Sequence, residues 1–231
     1  MKNFNVYIGY DRKEHIAAEV CKYSILKNGD QLCPPSVKYL KSRNIPEFVR
    51  EKEPNQSTDF TYTRFMIPFL EKYEGYSIFC DCDFLFTTNI IDLLSIVDPT
   101  KAVSVVKHPS YIPHTQIKMD GVPQHTMPRK NWASLIVFNN EHPANKALTP
   151  EYVNGIMPGR TLHQLGWLSD DQIGSLPLEW NALDDYYLLE NPKAIHYTDG
   201  GPWFKNYQDT MYSSVWLQYY NEFLLQRNVL Q

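Results

Sequence analysis

The sequence predicts an α/β fold in which a mostly parallel central sheet is flanked by helices. Two observations carry that prediction. Over the first hundred residues, short apolar runs alternate with segments of helical periodicity, the pattern of parallel strands joined by helical crossovers. Two acids, Asp81 and Asp83, then interrupt the apolar stretch "SIFCDCDFLF" where a strand ends, at the edge where open α/β sheets bind ligands. The 231 residues, 43% apolar and 21% charged, suffice for a packed core.

Each element has its own signal. "NVYIGY" reads as a first buried strand. The segment from Asp11 to Gly29 reads as a helix: Asp11 is an N-cap with Glu14 at N3, Ile16, Ala17, Val20, Cys21 and Ser24 make one face, and Asn28-Gly29 ends it. "SVKYL" is a second strand. Tyr62, Phe65, Met66, Phe69, Leu70 and Tyr73 follow at helical spacing, with Pro68 kinking that helix or opening a new turn. "YSIFCD" is a buried strand, "TTNIIDLLSIV" a short capped helix and "AVSVV" the next strand. Residues 107–131 read as a long ordered loop, a feature that is often functional. Beyond it, "ASLIVFNN" and "KAIHYT" are strands, and "TPEYVNGI" and "TLHQLGWL" short helices. "DTMYSSVWLQYYNEFLLQR" is an amphipathic helix with Tyr212, Val215, Trp216, Tyr219, Tyr220, Phe223 and Leu224 inward. No linker or repeat divides the chain, so a single domain over 1–231 is expected.

Composition narrows the function. A net charge of −4 without a basic run argues against a nucleic-acid binder. The four cysteines, Cys21, Cys33, Cys80 and Cys82, contain no CxxC pair and read as small buried fillers in a reducing compartment. No signal-peptide core or 18-residue apolar run appears. A soluble cytoplasmic protein is expected, with any membrane contact peripheral.

A carboxylate in an apolar segment costs several kcal/mol, about the scale for burying an ionised group, unless it is paired or bound to a cation. Asp81 and Asp83 at a strand end can share one divalent ion and leave positions for phosphate oxygens and water. Two enzyme classes use such a pair. A phosphohydrolase of the haloacid-dehalogenase type wants Thr or Ser two residues after the second acid, where Leu85 stands, although Asp170-Asp171 imitates its later metal motif. A nucleotide-sugar transferase places the pair after a first nucleotide-binding half, as here. A non-catalytic nucleotide- or carbohydrate-binding module is a third reading.

The second class gains from the rest of the chain. "TYTRFMIPFL", "YSIFCDCDFLFTTNIIDLL", "KNWASLIVFNN", "DDQIGSLPLEWN" and "IHYTDGGPW" resemble, in order and spacing, the motifs of glycosyltransferase family 8 and of small bacterial and viral relatives acting on surface glycans. The similarity runs over roughly residues 4 to 203. It implies a GT-A fold, with a nucleotide-binding half of about 1–106 and a donor and acceptor half of about 107–231. It also implies metal-dependent transfer of a sugar from a nucleotide diphosphate, expected to be UDP, to a glycan or surface-polysaccharide hydroxyl, with retention of configuration.

Site roles follow from the same resemblance. Asp81, Asp83 and His196 would hold Mn²⁺ or Mg²⁺, the imidazole favouring Mn²⁺. Tyr10 and Asp11 would meet the base and ribose, Asp11 doubling as the helix cap. Tyr62 and Arg64 match a Tyr-x-Arg motif, with Arg64 paired to one of the acids or to the nucleotide. Asn131 and Ser134 would line the donor-sugar pocket. Asp171 and Gln172 would face the reacting centre, and Asp170 would cap or bind a sugar hydroxyl. Trp180 and Asn181 read as structural. Lys107, His108, Lys118 and Gln124 would cover the acceptor side. The chain departs from the family at "GGPW", where Gly201 replaces a lysine before Pro202. Lys205, Arg64 or the Gly200-Gly201 backbone would then meet the diphosphate.

Overall fold

The computed structural model describes residues 4–53, 56–109, 117–118, 122–123 and 128–229. Strand β1 (Asn5–Gly9) is buried from Val6 to Gly9, as expected for a strand covered on both faces. A 3-10 turn (Arg12–Glu14) follows, capped by Asp11, whose side chain accepts from Lys13 N. Helix α1 (His15–Asn28) then buries Ala17, Ala18, Val20, Cys21, Ser24 and Ile25. Strands β2 (Ser36–Leu40) and β3 (Tyr76–Cys80) pair with β1 on either side, both parallel to it. Between them the expected helix forms in two pieces, a 3-10 turn (Thr63–Met66) and α2 (Ile67–Leu70). Pro68 lies in the first turn of α2, where a missing N–H costs no helical bond. Gly9 faces the ring of Phe60 so closely that a Cβ would stand 2.3 Å from it, which fixes the residue type at that crossing.

After β3 come β4 (Phe84–Phe86), α3 (Leu93–Ile96) and β5 (Val103–Val106). Asn89 caps the turn before α3, its Oδ1 accepting from Ile91 N at 3.1 Å. Within 107–131, β6 (Ile117–Lys118) and β7 (Val122–Pro123) pair in antiparallel fashion. The later elements are β8 (Leu135–Asn139), α4 (Gly159–His163), β9 (Ile173–Leu176), β10 (Ala182–Leu183), β11 (Ala194–His196) and α5 (Ser213–Val229).

The main sheet runs β2-β1-β3-β8-β5-β9. Only β8 is antiparallel to its neighbours, so the carboxyl ends of the other five strands meet the start of β8 along one edge. A smaller sheet, β10-β11-β4, sets His196 opposite Phe84. Its outer face is a second core: Leu85, Ile195 and Tyr197 pack with Val20 of α1 and with Tyr212, Trp216, Tyr219 and Phe223 of α5.

Segment 173–176 is the edge strand β9, held by parallel pairing to β5. Two sequence expectations are corrected. Leu224 of α5 is 37% exposed because the inward stripe ends at Phe223. Cys33 is exposed, unlike the other three cysteines. As expected, α1 ends at Asn28-Gly29, with Gly29 in an extended conformation, and its lack of a side chain serves close contact with Ile25 O and Pro35. No helix among the described residues is long and apolar enough to cross a membrane.

Candidate active site

Asp81 directly follows β3. Its N–H donates to Ser134 O at 2.9 Å, and the carbonyl of Asp83 accepts from Tyr197 N at 3.0 Å. The turn bearing both acids is thus pinned between the start of β8 and the chain leaving β11. Pairing of β11 with β4 delivers His196 to the same point. Ligand-type atoms of Asp81, Asp83 and His196 all lie within 4.8 Å of one another, and His196 Nε2 is 3.4 Å from Asp83 Oδ1. Asp83 is 7% and His196 2% exposed. Cys82 between the acids is buried in the main core, and burial pushes its thiol well above the usual range.

Two neighbours fix the charges. Arg64 is buried beneath Asp81, its Nη1 2.7 Å from Asp81 Oδ1. It also donates to Thr61 O at 3.0 Å and Ala133 O at 2.6 Å, and lies over the ring of Phe79 at 4.7 Å. Burial lowers its pKa, while Asp81 and then Asp83 pull it back up. On the other side, Asn181 Nδ2 donates to Ser134 Oγ at 3.0 Å. Its Oδ1 therefore faces His196 Nδ1, at 3.0 Å, and that nitrogen carries the ring proton. Nε2 is left with its lone pair towards the acids, the arrangement seen in histidines that ligate metals. Buried His108, stacked on Tyr187 at 5.9 Å, has its pKa pushed down to about 3 by burial and by His196, so it adds no charge near neutrality.

Two carboxylates and an oriented imidazole, close enough to surround one ion, suit a divalent cation with mixed oxygen and nitrogen preference. A cavity of about 520 Å³ opens over them. Glu53, Tyr62 and Arg64 form one wall, and Tyr62 donates to Glu53 Oε2 at 2.7 Å. Arg129, Lys130, Asn131 and Ser134 form another, and α4 adds Arg160 and His163.

Of the residues expected at the site, the structure brings together Tyr62, Arg64, Asp81, Asp83, Asn131, Ser134 and His196. The others among the described residues lie outside the lining of that cavity. Tyr10 follows β1 at the same sheet edge, but its ring packs on Tyr39, with Lys41 Nζ 4.1 Å from its centroid, outside the cavity lining. Asp11 accepts from Lys13 N and Asp59 N, so both its oxygens serve the backbone. Gly200 and Gly201 face the rings of Tyr207 and Trp203, and a Cβ at Gly201 would stand 2.0 Å from the indole. Their small size leaves room for those rings. Lys205 is exposed and lies away from the cavity. Gln172 sits at the amino end of β9, where Ala102 N donates to its carbonyl, and its Oε1 accepts from Ser169 N. Asp171 is exposed beside it, with its carboxyl held low by Ser169. Neither lines the cavity; Asp170 reaches it only through an ion pair with Arg129. Lys107 donates to Ile173 O at 2.8 Å. The side chain of Lys118 and all of Gln124 lie outside the described residues.

Sequence reasoning missed Glu53, Arg129, Lys130, Arg160, His163 and Thr198 in the cavity lining. Arg129 precedes the "KNWASLIVFNN" motif and Lys130 opens it with no expected role, while the segment of α4 reads only as a short helix. Nothing in the spacing of Glu53 marks it.

No family profile matches the chain. Protein CDI of Arabidopsis thaliana is 38% identical over 231 residues, covering 96% of this chain and 88% of that protein. The chain belongs to the Protein CDI family. Solved structures show which fold this CDI-family chain has. The bifunctional glycosyltransferase WbbM superposes with a TM-score of 0.65 at 17% identity, over 94% of this chain and 49% of WbbM. The glycosyltransferase GlyE of Streptococcus pneumoniae gives 0.62 at 16%, over 99% of this chain and 64% of GlyE. The galactosyltransferase LgtC, solved with donor and acceptor sugar analogues, gives 0.58 at 11%, over 95% and 96%. The chain thus spans about half of WbbM and almost all of LgtC. The CDI-family fold is the GT-A fold of these glycosyltransferases.

Proposed function

We propose that this protein is a metal-dependent glycosyltransferase that moves a sugar from a nucleotide diphosphate, with UDP the expected nucleotide, to a hydroxyl of a glycan or surface polysaccharide, retaining configuration. The observation that carries the reading is the convergence of Asp81, Asp83 and His196 Nε2 beneath one cavity of a GT-A fold. In this reading those three hold Mn²⁺ or Mg²⁺, and when bound the ion supplies Lewis-acid neutralisation of a departing diphosphate. Arg64 holds Asp81 in place, and Asn181 keeps the lone pair of His196 aimed at the acids. Asn131 and Ser134 border the donor sugar. Tyr62 and, further along the edge, Tyr10 offer aromatic faces to the nucleotide. The nucleotide-binding half of about 1–106 and the donor and acceptor half of about 107–231 carry over into this reading. So does a cytoplasmic setting, supported by the free state of all four cysteines.

Release of UDP from a panel of UDP-sugars, measured with Mn²⁺ and then with EDTA, tests the reading. Turnover should need the metal and an acceptor, and Asp83→Ala should abolish it. Turnover undiminished by chelation or by Asp83→Ala would overturn the metal assignment. Hydrolysis of a phosphomonoester without nucleotide would favour a phosphohydrolase instead.

A further inference from the structure

Glu53 brings to the cavity wall a carboxylate outside the group formed by Asp81, Asp83 and His196. The segment that carries it is tied down on both sides. Asn154, in a helical turn (Tyr152–Ile156), accepts at Oδ1 from Val49 N at 3.0 Å and Arg50 N at 3.1 Å, and donates from Nδ2 to Glu47 O at 2.8 Å. Arg50 donates from Nη1 to Val153 O at 2.8 Å and Met157 O at 3.0 Å, and from Nη2 to Glu53 Oε1 at 2.7 Å. Its guanidinium lies over the ring of Tyr62, 4.3 Å from the centroid, and Tyr62 donates to Glu53 Oε2 at 2.7 Å. The Tyr62 hydroxyl is itself confined, because α4 packs so closely that a Cβ at Gly159 would stand 2.2 Å from it. Tyr62 lies two residues before Arg64, whose Nη1 bonds Asp81 at 2.7 Å. One short stretch thus supplies a partner to Glu53 and a partner to an acid of the metal group.

Each carboxylate oxygen of Glu53 is therefore fixed by one donor, and each can accept a second hydrogen bond. The side chain is 45% exposed, so that capacity is open to a ligand. The bond from Arg50 holds the carboxyl below its usual range, so near neutrality it is ionised and only accepts. Arg50 also balances its charge, and the pair adds no net repulsion to a diphosphate in the same cavity. A fixed acceptor calls for a ligand group that donates. Phosphate oxygens near neutrality do not, whereas the hydroxyls of a ribose or of a transferred sugar do. A site built to bond a hydroxyl discriminates strongly against an analogue that lacks it.

We propose that Glu53 is a specificity-determining residue of this site, accepting hydrogen bonds from hydroxyls of the bound nucleotide sugar. The assignment rests on the reading that the cavity takes a nucleotide-sugar donor. Calorimetric titrations of the full chain in Mn²⁺ without acceptor test it, using UDP, 2′,3′-dideoxy-UDP and a panel of UDP-sugars. Glu53→Ala should weaken the best-bound UDP-sugar about 10- to 100-fold, the worth of a hydrogen bond to a charged group. Glu53→Gln, which keeps the shape but one acceptor oxygen, should lose part of that affinity. Dideoxy-UDP should bind the variants and the wild type alike. A loss shared by UDP and the UDP-sugar places the hydroxyls on the ribose, and a loss confined to the UDP-sugar places them on the transferred sugar. Binding of Mn²⁺ without nucleotide should be the same in Glu53→Ala and wild type. An equal loss with dideoxy-UDP would assign Glu53 to the base or to the fold and overturn the proposal. So would unchanged affinity for the UDP-sugar in Glu53→Ala, or loss of its Mn²⁺ binding. If wild-type protein binds no uridine nucleotide, the parent reading falls and this one with it.

Discussion

At His196 the two ring nitrogens face different partners: Nδ1 meets Asn181 Oδ1, and Nε2 meets Asp83. The amide of Asn181 is oriented by its bond to Ser134 Oγ, which accepts from it while donating to Asn131 O at 2.7 Å. This relay sets a tautomer without a charge of its own. Asn181→Ala would leave Nδ1 without its acceptor and free the ring to turn. Mn²⁺ affinity, read by calorimetry in the absence of nucleotide, should fall about 10- to 100-fold, the usual cost of losing such a supporting partner, while the fold persists. Unchanged affinity would mean that the relay does not orient the ligand. At this scale the sequence was most legible where side-chain type alone restricts the chemistry. Two acids amid apolar neighbours announce a cation, and a buried arginine announces an acid. It was least legible at Glu53, Arg160 and His163, ordinary surface types whose importance arises only when distant segments share one cavity.

Helix α5 shows how elements are held by parts far away in sequence. The backbone N–H groups just before it are satisfied by carboxylates of the segment that follows β10: Tyr212 N donates to Asp184 Oδ1 and Met211 N to Asp185 Oδ1. Burial raises the Asp184 pKa from 3.8 to about 6, while hydrogen bonds from Thr210 and Tyr212 N pull it down. Between those two values the folded chain keeps a proton that the unfolded chain has lost. The contribution of Asp184 to stability therefore falls as pH rises from about 4 to about 6 and stays flat above, a change of at most about 3 kcal/mol. Asp184→Asn, which cannot titrate but still accepts from Tyr212 N, should lack that loss. Its unfolding free energy in urea should gain on the wild type between pH 4 and 7, and parallel curves would show that Asp184 is not buried as described. The strands and helices with strong periodicity, β1, α1, β3, β5 and β8, were readable because burial imposes the pattern. β4, β9 and β10 were not: two to four residues are too few to show a period, and their pairing comes from neighbours distant in sequence.

Over the whole molecule, two apolar clusters share α1. Ala18, Cys21 and Ile25 belong to the core around the main sheet, and Val20 to the one beneath α5. Trp216 anchors the second cluster, with ring centroids 5.2 Å from Trp203 and 5.1 Å from Tyr220. Trp216→Ala should cost about 3–5 kcal/mol, the range for deleting a large buried ring. Because α1 ties the clusters together, near- and far-ultraviolet circular dichroism should still report one coincident unfolding transition. Two separate transitions would show that the clusters fold independently. The α/β class was legible from alternation alone, whereas the reversed direction of β8 was not, since an apolar strand reads the same either way.

The seating of His196 opposite Phe84 also bears on how the chain is made. The acids of the turn after β3 leave the ribosome more than a hundred residues ahead of the imidazole, and only the pairing of β11 with β4 unites them. A nascent chain, or one clipped before β11, holds two carboxylates and an arginine but no complete triad. The site is completed only by β11, which also supplies Ile195 to the second core, so its presence certifies that synthesis reached β11 and that the chain folded back on itself.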